Sequence, residues 1–229
     1  MDHNKNLSEL FSKVPEVTLL FWIIKIAATT LGETAGDALS MSLNLGYLLS
    51  TCIFSFIFIG FASIQIKAKA FKPFLYWATI ISTTTLGTTI ADFVDRSLGI
   101  GYFGGSIILL ILLVCSLAIW FYTCGNIAVT SIQTPKTEAF YWLTIMFSQT
   151  LGTALGDWTA DTQGLGYTGA ALIFGLLLLT LIALHSWTKI SKTFLFLTSF
   201  VLTRPLGAVL GDFLDKPLDH VGLDLSRFG

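Results

Sequence analysis

Charge is scarce in this sequence. Asp, Glu, Lys and Arg make up 12% of its 229 residues, against about 25% in an ordinary soluble domain. That deficit, beside 54% hydrophobic residues, 19 Phe and 6 Trp, argues against a water-soluble fold and for a membrane protein. An excess of one sign is also missing. The net charge is −1, so no nucleic-acid partner is expected. Cysteine is limited to Cys52, Cys115 and Cys124, which lie in or beside apolar runs without metal-ligand spacing and read as small packing residues. Ser-His-Asp, His-Glu-x-x-His and phosphate-loop patterns do not occur, so an enzyme is not expected and no cofactor is required. The last apolar segment holds Arg204 and no lysine, which excludes a retinal Schiff base there. The first sixteen residues are polar and mildly amphipathic, without the apolar core of a cleavable signal.

What is present is a series of long apolar segments. A membrane-crossing helix needs about 20 residues, and seven segments fit: 17–41, 47–66, 74–97, 103–123, 140–162, 168–187 and 194–215. Their connections alternate between two sides. Lys5, Lys13, Lys67, Lys69, Lys72, Lys136, Lys189 and Lys192 fall on the side of the N-terminus; Arg96, Lys216 and Arg227 fall opposite. This bias places the N-terminus in the cytoplasm and the C-terminus outside. Asp2, Glu9, Glu16 and Glu138 are then cytoplasmic, and the other acids lie towards the outer face. Tyr76, Trp77, Trp120, Tyr141, Trp142 and Trp187 on the inside, and Tyr47, Tyr102 and Tyr167 on the outside, read as interfacial anchors.

Four stretches repeat one pattern: TLGETAGDALSMSLNLGY, TLGTTIADFVDRSLGIGY, TLGTALGDWTADTQGLGY and PLGAVLGDFLDKPLDHVGL. Their acids are Asp37, Asp92, Asp157 and Asp212, separated by 55, 65 and 55 residues. Such a period marks internal duplication. Each unit is an entering helix ending near the acid, a short glycine-rich connection and a returning helix. The units occupy 17–66, 74–123, 140–187 and 194–229, the last lacking its returning helix. Units two and four share ADFVDR and GDFLDK, which divides the single membrane domain into halves at about residue 135. The expected architecture is all-α: seven transmembrane helices from four parallel two-helix repeats, related by an axis along the membrane normal and not inverted.

Within each entering helix, small residues recur four apart: Gly32 and Gly36, Gly87 and Ala91, Gly152 and Gly156, Gly207 and Gly211. They form a strip on which helix backbones approach closely. The residue after each lies about 100° round the helix, giving Glu33 and Asp37, Thr88 and Asp92, Thr153 and Asp157, Ala208 and Asp212. Parallel helices bring the four aspartates to one depth, as a ring or as two facing pairs. Carboxylates at such a depth cost about 2.5–3.5 kcal/mol each. They share protons, pair with Arg204 or Lys25, or bind a cation. Hard divalent cations take six or more oxygens, and Thr29, Thr30, Thr84, Thr85, Thr88, Thr150 and Thr153 add hydroxyls to Glu33 and the aspartates. No Cys or His shares that face; His185 and His220 are not expected as ligands. Asp95 with Arg96, Asp215 with Lys216, and Asp161 read as exposed interfacial charges. Lys25 either snorkels or faces the bundle. Arg204 precedes Pro205, which is expected to kink its helix, and is the candidate fixed countercharge.

The four-fold pattern resembles that of bacterial integral membrane proteins catalogued as a repeat of unknown function, also described as uncharacterised membrane-anchored proteins. The resemblance implies a multi-pass protein of the bacterial inner membrane and no particular biochemistry. GETAGD also bears a distant likeness to the Glu-x-Gly-Asp motif of calcium and manganese exchangers. The residues lead to one expectation: a secondary transporter of a divalent cation, manganese before calcium or iron, coupled to protons through the same carboxylates. Two alternatives stand beside it. One is a proton-coupled carrier of a small organic or cationic solute with Trp158 in its pocket wall. The other is a non-transporting membrane protein. Self-association of the chain is left open.

Overall fold

The computed structural model describes residues 17–127, 134–162, 164–216 and 222–225, with Lys13, Pro15 and Ile132. Asp2, Lys5, Glu9, Glu16, His220 and Arg227 lie outside them. The described residues form seven long helices and no strand: α1 Leu19–Asp37, α2 Gly46–Lys67, α3 Pro73–Asp92, α4 Gly101–Cys124, α5 Pro135–Asp157, α6 Gly166–Trp187 and α7 Lys192–Asp215.

Local chemistry sets the ends. The Thr18 hydroxyl accepts from the Phe21 amide and caps α1. Pro73 opens α3, where its missing N–H costs nothing. Thr134 and Thr137 form a capping box, with Pro135 in the first turn; α5 therefore starts at 135 and not at the expected 140. Three entering helices close on a π-helical turn directly after the repeat acid: Ala38–Ser42, Phe93–Ser97 and Trp158–Thr162. The Leu43 amide reaches back five residues to the Ala38 carbonyl at 2.9 Å, and Leu98 does the same to Phe93 at 3.0 Å. Each connection then uses two left-handed residues. Asn44, Gly99 and Gly164 take the first position, and Gly46, Gly101 and Gly166 the second, with φ between 55° and 77°. This requirement explains the Gly-x-Gly-Tyr signature, with asparagine tolerated only at the first place.

The four entering helices pack in a closed sequence, α1 on α3, α3 on α5, α5 on α7 and α7 on α1. Each returning helix packs on the next entering one: α2 on α3, α4 on α5 and α6 on α7. Polarity is sorted accordingly. The outer helices expose Phe56, Ile111 and Ile182, while the inner ones bury threonines, carboxylates, Lys25 and Arg204. Among the described residues, five helices are long and apolar enough to cross a membrane, within Leu19–Ser42, Gly46–Lys67, Gly101–Cys124, Gly166–Trp187 and Phe194–Asp215, which is compatible with a multi-pass membrane protein. The threonine-rich α3 and α5 are not among these five; their polar side chains turn inward and are covered by neighbours.

Two expectations need correction. Tyr76, Trp120, Tyr141 and Trp142 are buried and do not stand as interfacial anchors. Tyr76 and Tyr141 join hydroxyl to hydroxyl at 2.8 Å, within a core that also holds Phe21 and Phe200. Trp187, by contrast, is exposed. Cys52 and Cys115 sit exposed on the outer helices instead of packing inside. Pro205 lies inside α7, which runs on through it to Asp215.

Candidate site: a buried ladder of charged and polar layers

Residues four apart stack into a ridge on a helix. On α1 that ridge is Asp37, Glu33, Thr29, Lys25 and Phe21, all buried. On α3 it is Asp92, Thr88, Thr84, Ile80 and Tyr76; on α5, Asp157, Thr153, Gln149, Ile145 and Tyr141. On α7 it is Asp212, Ala208, Arg204, Phe200 and Phe196. Contacts between helices tie equivalent rungs together, so the bundle is layered: aspartates, then Glu33 with Thr88 and Thr153, then Arg204 with Gln149, then Lys25 with Phe200, then the tyrosine pair.

The glycine strips permit this. Gly32 abuts Thr84, Gly36 abuts Thr88, Gly87 abuts Gln149 and Thr150, and Gly152 abuts Arg204 and Pro205. Gly156 faces Ala208, Gly207 faces Thr29, and Gly211 faces Glu33 and Thr30. Each small residue meets the next helix in the cycle, so side chains longer than a hydrogen would separate the ridges.

Arg204 is completely buried and reaches the three other inner helices. Its Nη2, with two hydrogens, lies 2.7 Å from Glu33 Oε2 and 2.6 Å from each of the Thr88 and Thr153 Oγ1 atoms. Thr88 also donates to Glu33 at 3.1 Å. Lys25 faces the bundle, but not to balance an acid as the expected placement had it. Its ammonium donates to the Phe200 carbonyl at 3.1 Å and to Thr203 at 2.7 Å, and lies 3.8 Å from the centre of the Phe200 ring. These partners contain no carboxylate.

The four repeat aspartates are buried and fall into two pairs, each bridged by a cation. Arg96 lies 3.0 Å from Asp92 and 3.7 Å from Asp157. Lys216 lies 2.7 Å from Asp37 and 3.2 Å from Asp212. Lys216 sits just past α7: burial opposes its charge, but Asp212 and Asp37 outweigh that and hold its pKa above the ordinary lysine value. The reading of Asp95–Arg96 and Asp215–Lys216 as exposed interfacial charges holds for Arg96, which is exposed, while Lys216 is half-buried and the two aspartates need correction. Asp95 and Asp215 are buried, and both cations bind the repeat acids. Their signal was available in the sequence, because Arg96 follows Asp92, and Lys216 follows Asp212, by one helical turn. Tyr47 accepts a bond from Arg96 at 3.2 Å, and Tyr167 is buried, so the connection tyrosines cover the site more than they anchor it. Asp161 does lie exposed and accepts from Tyr102 at 3.1 Å.

Two groups of carboxylates converge closely enough to share a cation. Oxygens of Glu33, Asp157 and Asp212 lie within 4.8 Å of one another, as do those of Asp37, Asp212 and Asp215. Asp92 belongs to neither trio, so the five acids expected to form one ligand set are divided. Among the described residues, Glu33, Asp37, Asp92, Asp157 and Asp212 meet three cations at ion-pair distance, Arg96, Arg204 and Lys216.

A family model described as a repeat of unknown function (DUF347) matches residues 20–71, 75–126 and 140–191, more than half of the chain. No curated protein and no solved structure matches it.

Proposed function

The chain belongs to the family defined by that repeat of unknown function, and from this premise we propose that it is a secondary transporter of a divalent metal cation. The proposal includes seven membrane-spanning helices built from four parallel two-helix units, the last truncated. The N-terminus is inside and the C-terminus outside a bacterial inner membrane. The order of contacts among α1, α3, α5 and α7 supports the parallel arrangement. The lysine bias of the connections supports the orientation.

One observation carries the function: the convergence of Glu33, Asp157 and Asp212, three buried carboxylates whose oxygens lie within 4.8 Å of one another. Three carboxylates with the hydroxyls of Thr88 and Thr153 offer hard oxygen ligands, and water completes the six or more that a divalent ion takes. Manganese is the first choice and calcium or iron the next. Protons compete for the same oxygens, so ion binding releases them and can couple uptake to a proton gradient. The small-residue strips let the inner helices slide against one another, which is what exposing the site to alternate sides requires.

A structural reading has an observation of its own. Every repeat aspartate already faces a lysine or arginine. Purified protein in proteoliposomes separates the two. Asp157 is the residue to change, since its protein cation is the most distant of the four at 3.7 Å. The transporter reading expects manganese flux in wild type and little in Asp157→Asn, with the variant still folded. Wild-type liposomes that carry no divalent ion would leave the structural reading in possession.

A further inference from the structure

The bonding of Arg204 is uneven. Its Nη2 carries two hydrogens but faces four acceptors: Glu33, Thr88, Thr153 and the Thr84 carbonyl, the last at 3.4 Å. Its Nε, fully buried, has no hydrogen-bond partner. One rung of the same layer is equally unsatisfied. Gln149 is fully buried, and neither its Nε2 nor its Oε1 has a partner. Leaving one such amide group unmade costs about 1–3 kcal/mol. Gln149 occupies on α5 the position that Arg204 occupies on α7. It lies one turn below Thr153, a side chain the guanidinium already touches.

Glu33 is claimed twice. It holds Arg204, and it is one of the three carboxylates that converge with Asp157 and Asp212. A cation bound there draws the Glu33 oxygens from the guanidinium, and Arg204 is then left buried without its carboxylate. We propose that Gln149 is the alternative partner of Arg204: ion binding at Glu33 transfers the guanidinium from the glutamate to the Gln149 side-chain oxygen. The exchange rests on the transporter reading above and adds its coupling step. Without an ion, Arg204 is paired with Glu33. With an ion, the guanidinium turns from Glu33 to Gln149 in its own layer, and Glu33 is released to the metal. Gln149 acts here as a positioning residue, through Arg204, and does not touch the ion.

The test is manganese affinity on detergent-purified protein, followed by electron paramagnetic resonance of free ion, in wild type, Gln149→Leu and Gln149→Glu. The leucine variant removes the alternative acceptor, and its Kd is expected to rise about tenfold. The glutamate variant offers Arg204 a standing carboxylate and frees Glu33, and its Kd is expected to fall by a similar factor. Opposite signs are the signature, because a packing defect weakens both. Should the leucine variant fail to fold, Gln149→Met takes its place, because tighter binding in Gln149→Glu alone also follows from the added negative charge. Wild-type binding with unchanged or weaker affinity in Gln149→Glu overturns the exchange and leaves the transporter reading intact. No binding by wild type ends both.

Discussion

Arg204 Nη2 lies 2.7 Å from Glu33 Oε2, across 171 residues of chain and with both side chains out of solvent. A buried pair of this kind adds little over a well-packed apolar pair, but breaking it on one side strands a charge. Arg204→Met and Glu33→Gln are each expected to cost about 3–5 kcal/mol, and the combined substitution less than their sum. Thermal unfolding of the four proteins in detergent measures this coupling. Strictly additive losses would show that the two side chains act independently.

Gly87 packs directly against the backbone of the next inner helix. A Cβ there would stand 2.9 Å from the Thr150 amide nitrogen and 3.0 Å from the Gln149 carbonyl carbon. Backbone cannot rotate away as a side chain does, so Gly87→Ala is expected to destabilise by about 1–3 kcal/mol. Gly175, on the outer α6, has nothing within 4 Å of such an atom. Gly175→Ala is expected to leave the melting temperature unchanged or raised, since alanine favours a helix. Equal effects at the two sites would contradict the packing described.

Arg96 holds Asp92 at 3.0 Å and Asp157 at 3.7 Å from the partly exposed side of the site. Arg96→Gln removes one positive charge beside the carboxylates proposed to bind the metal. Divalent affinity is expected to increase about tenfold, by direct electrostatics, with little loss of fold. Isothermal titration with manganese measures it. A weaker or unchanged affinity would argue that Asp157 takes no part in ion binding.

The tyrosine pair at the other end of the ladder makes a different prediction. Tyr76 and Tyr141 share one hydrogen bond of 2.8 Å in a buried core. Tyr141→Phe strands the Tyr76 hydroxyl and is expected to cost about 1–3 kcal/mol. Changing both to phenylalanine removes the stranded group and recovers most of that loss. Unfolding midpoints of the single and double variants decide the matter.

Much of this was legible in the residues alone. The seven apolar segments fall within a few residues of the observed helices, because length, apolar runs and Gly or Pro punctuation are local properties. The acid and glycine positions follow from a spacing of four. The π-helical turns after Asp37, Asp92 and Asp157 were not legible, since nothing in composition separates them from an ordinary last turn. The tyrosines and tryptophans misled for a related reason. An aromatic near a helix end anchors or packs according to which way the helix is turned, and that rotation is set by the other helices.

The sequence by itself determined the helices, the four-fold repeat, the strips on which backbones meet and the ridge that carries the acids. Each depends on covalent spacing and on the cost of exposing polar groups to an apolar surrounding. Only the tertiary structure decided which cation stands against which acid, that Arg204 takes Glu33, that Lys216 and Arg96 each bridge two aspartates, and that Lys25 takes none. Charge pairing is settled by distances of about 3 Å between side chains as many as 179 residues apart, and such distances exist only once the helices have closed into a ring.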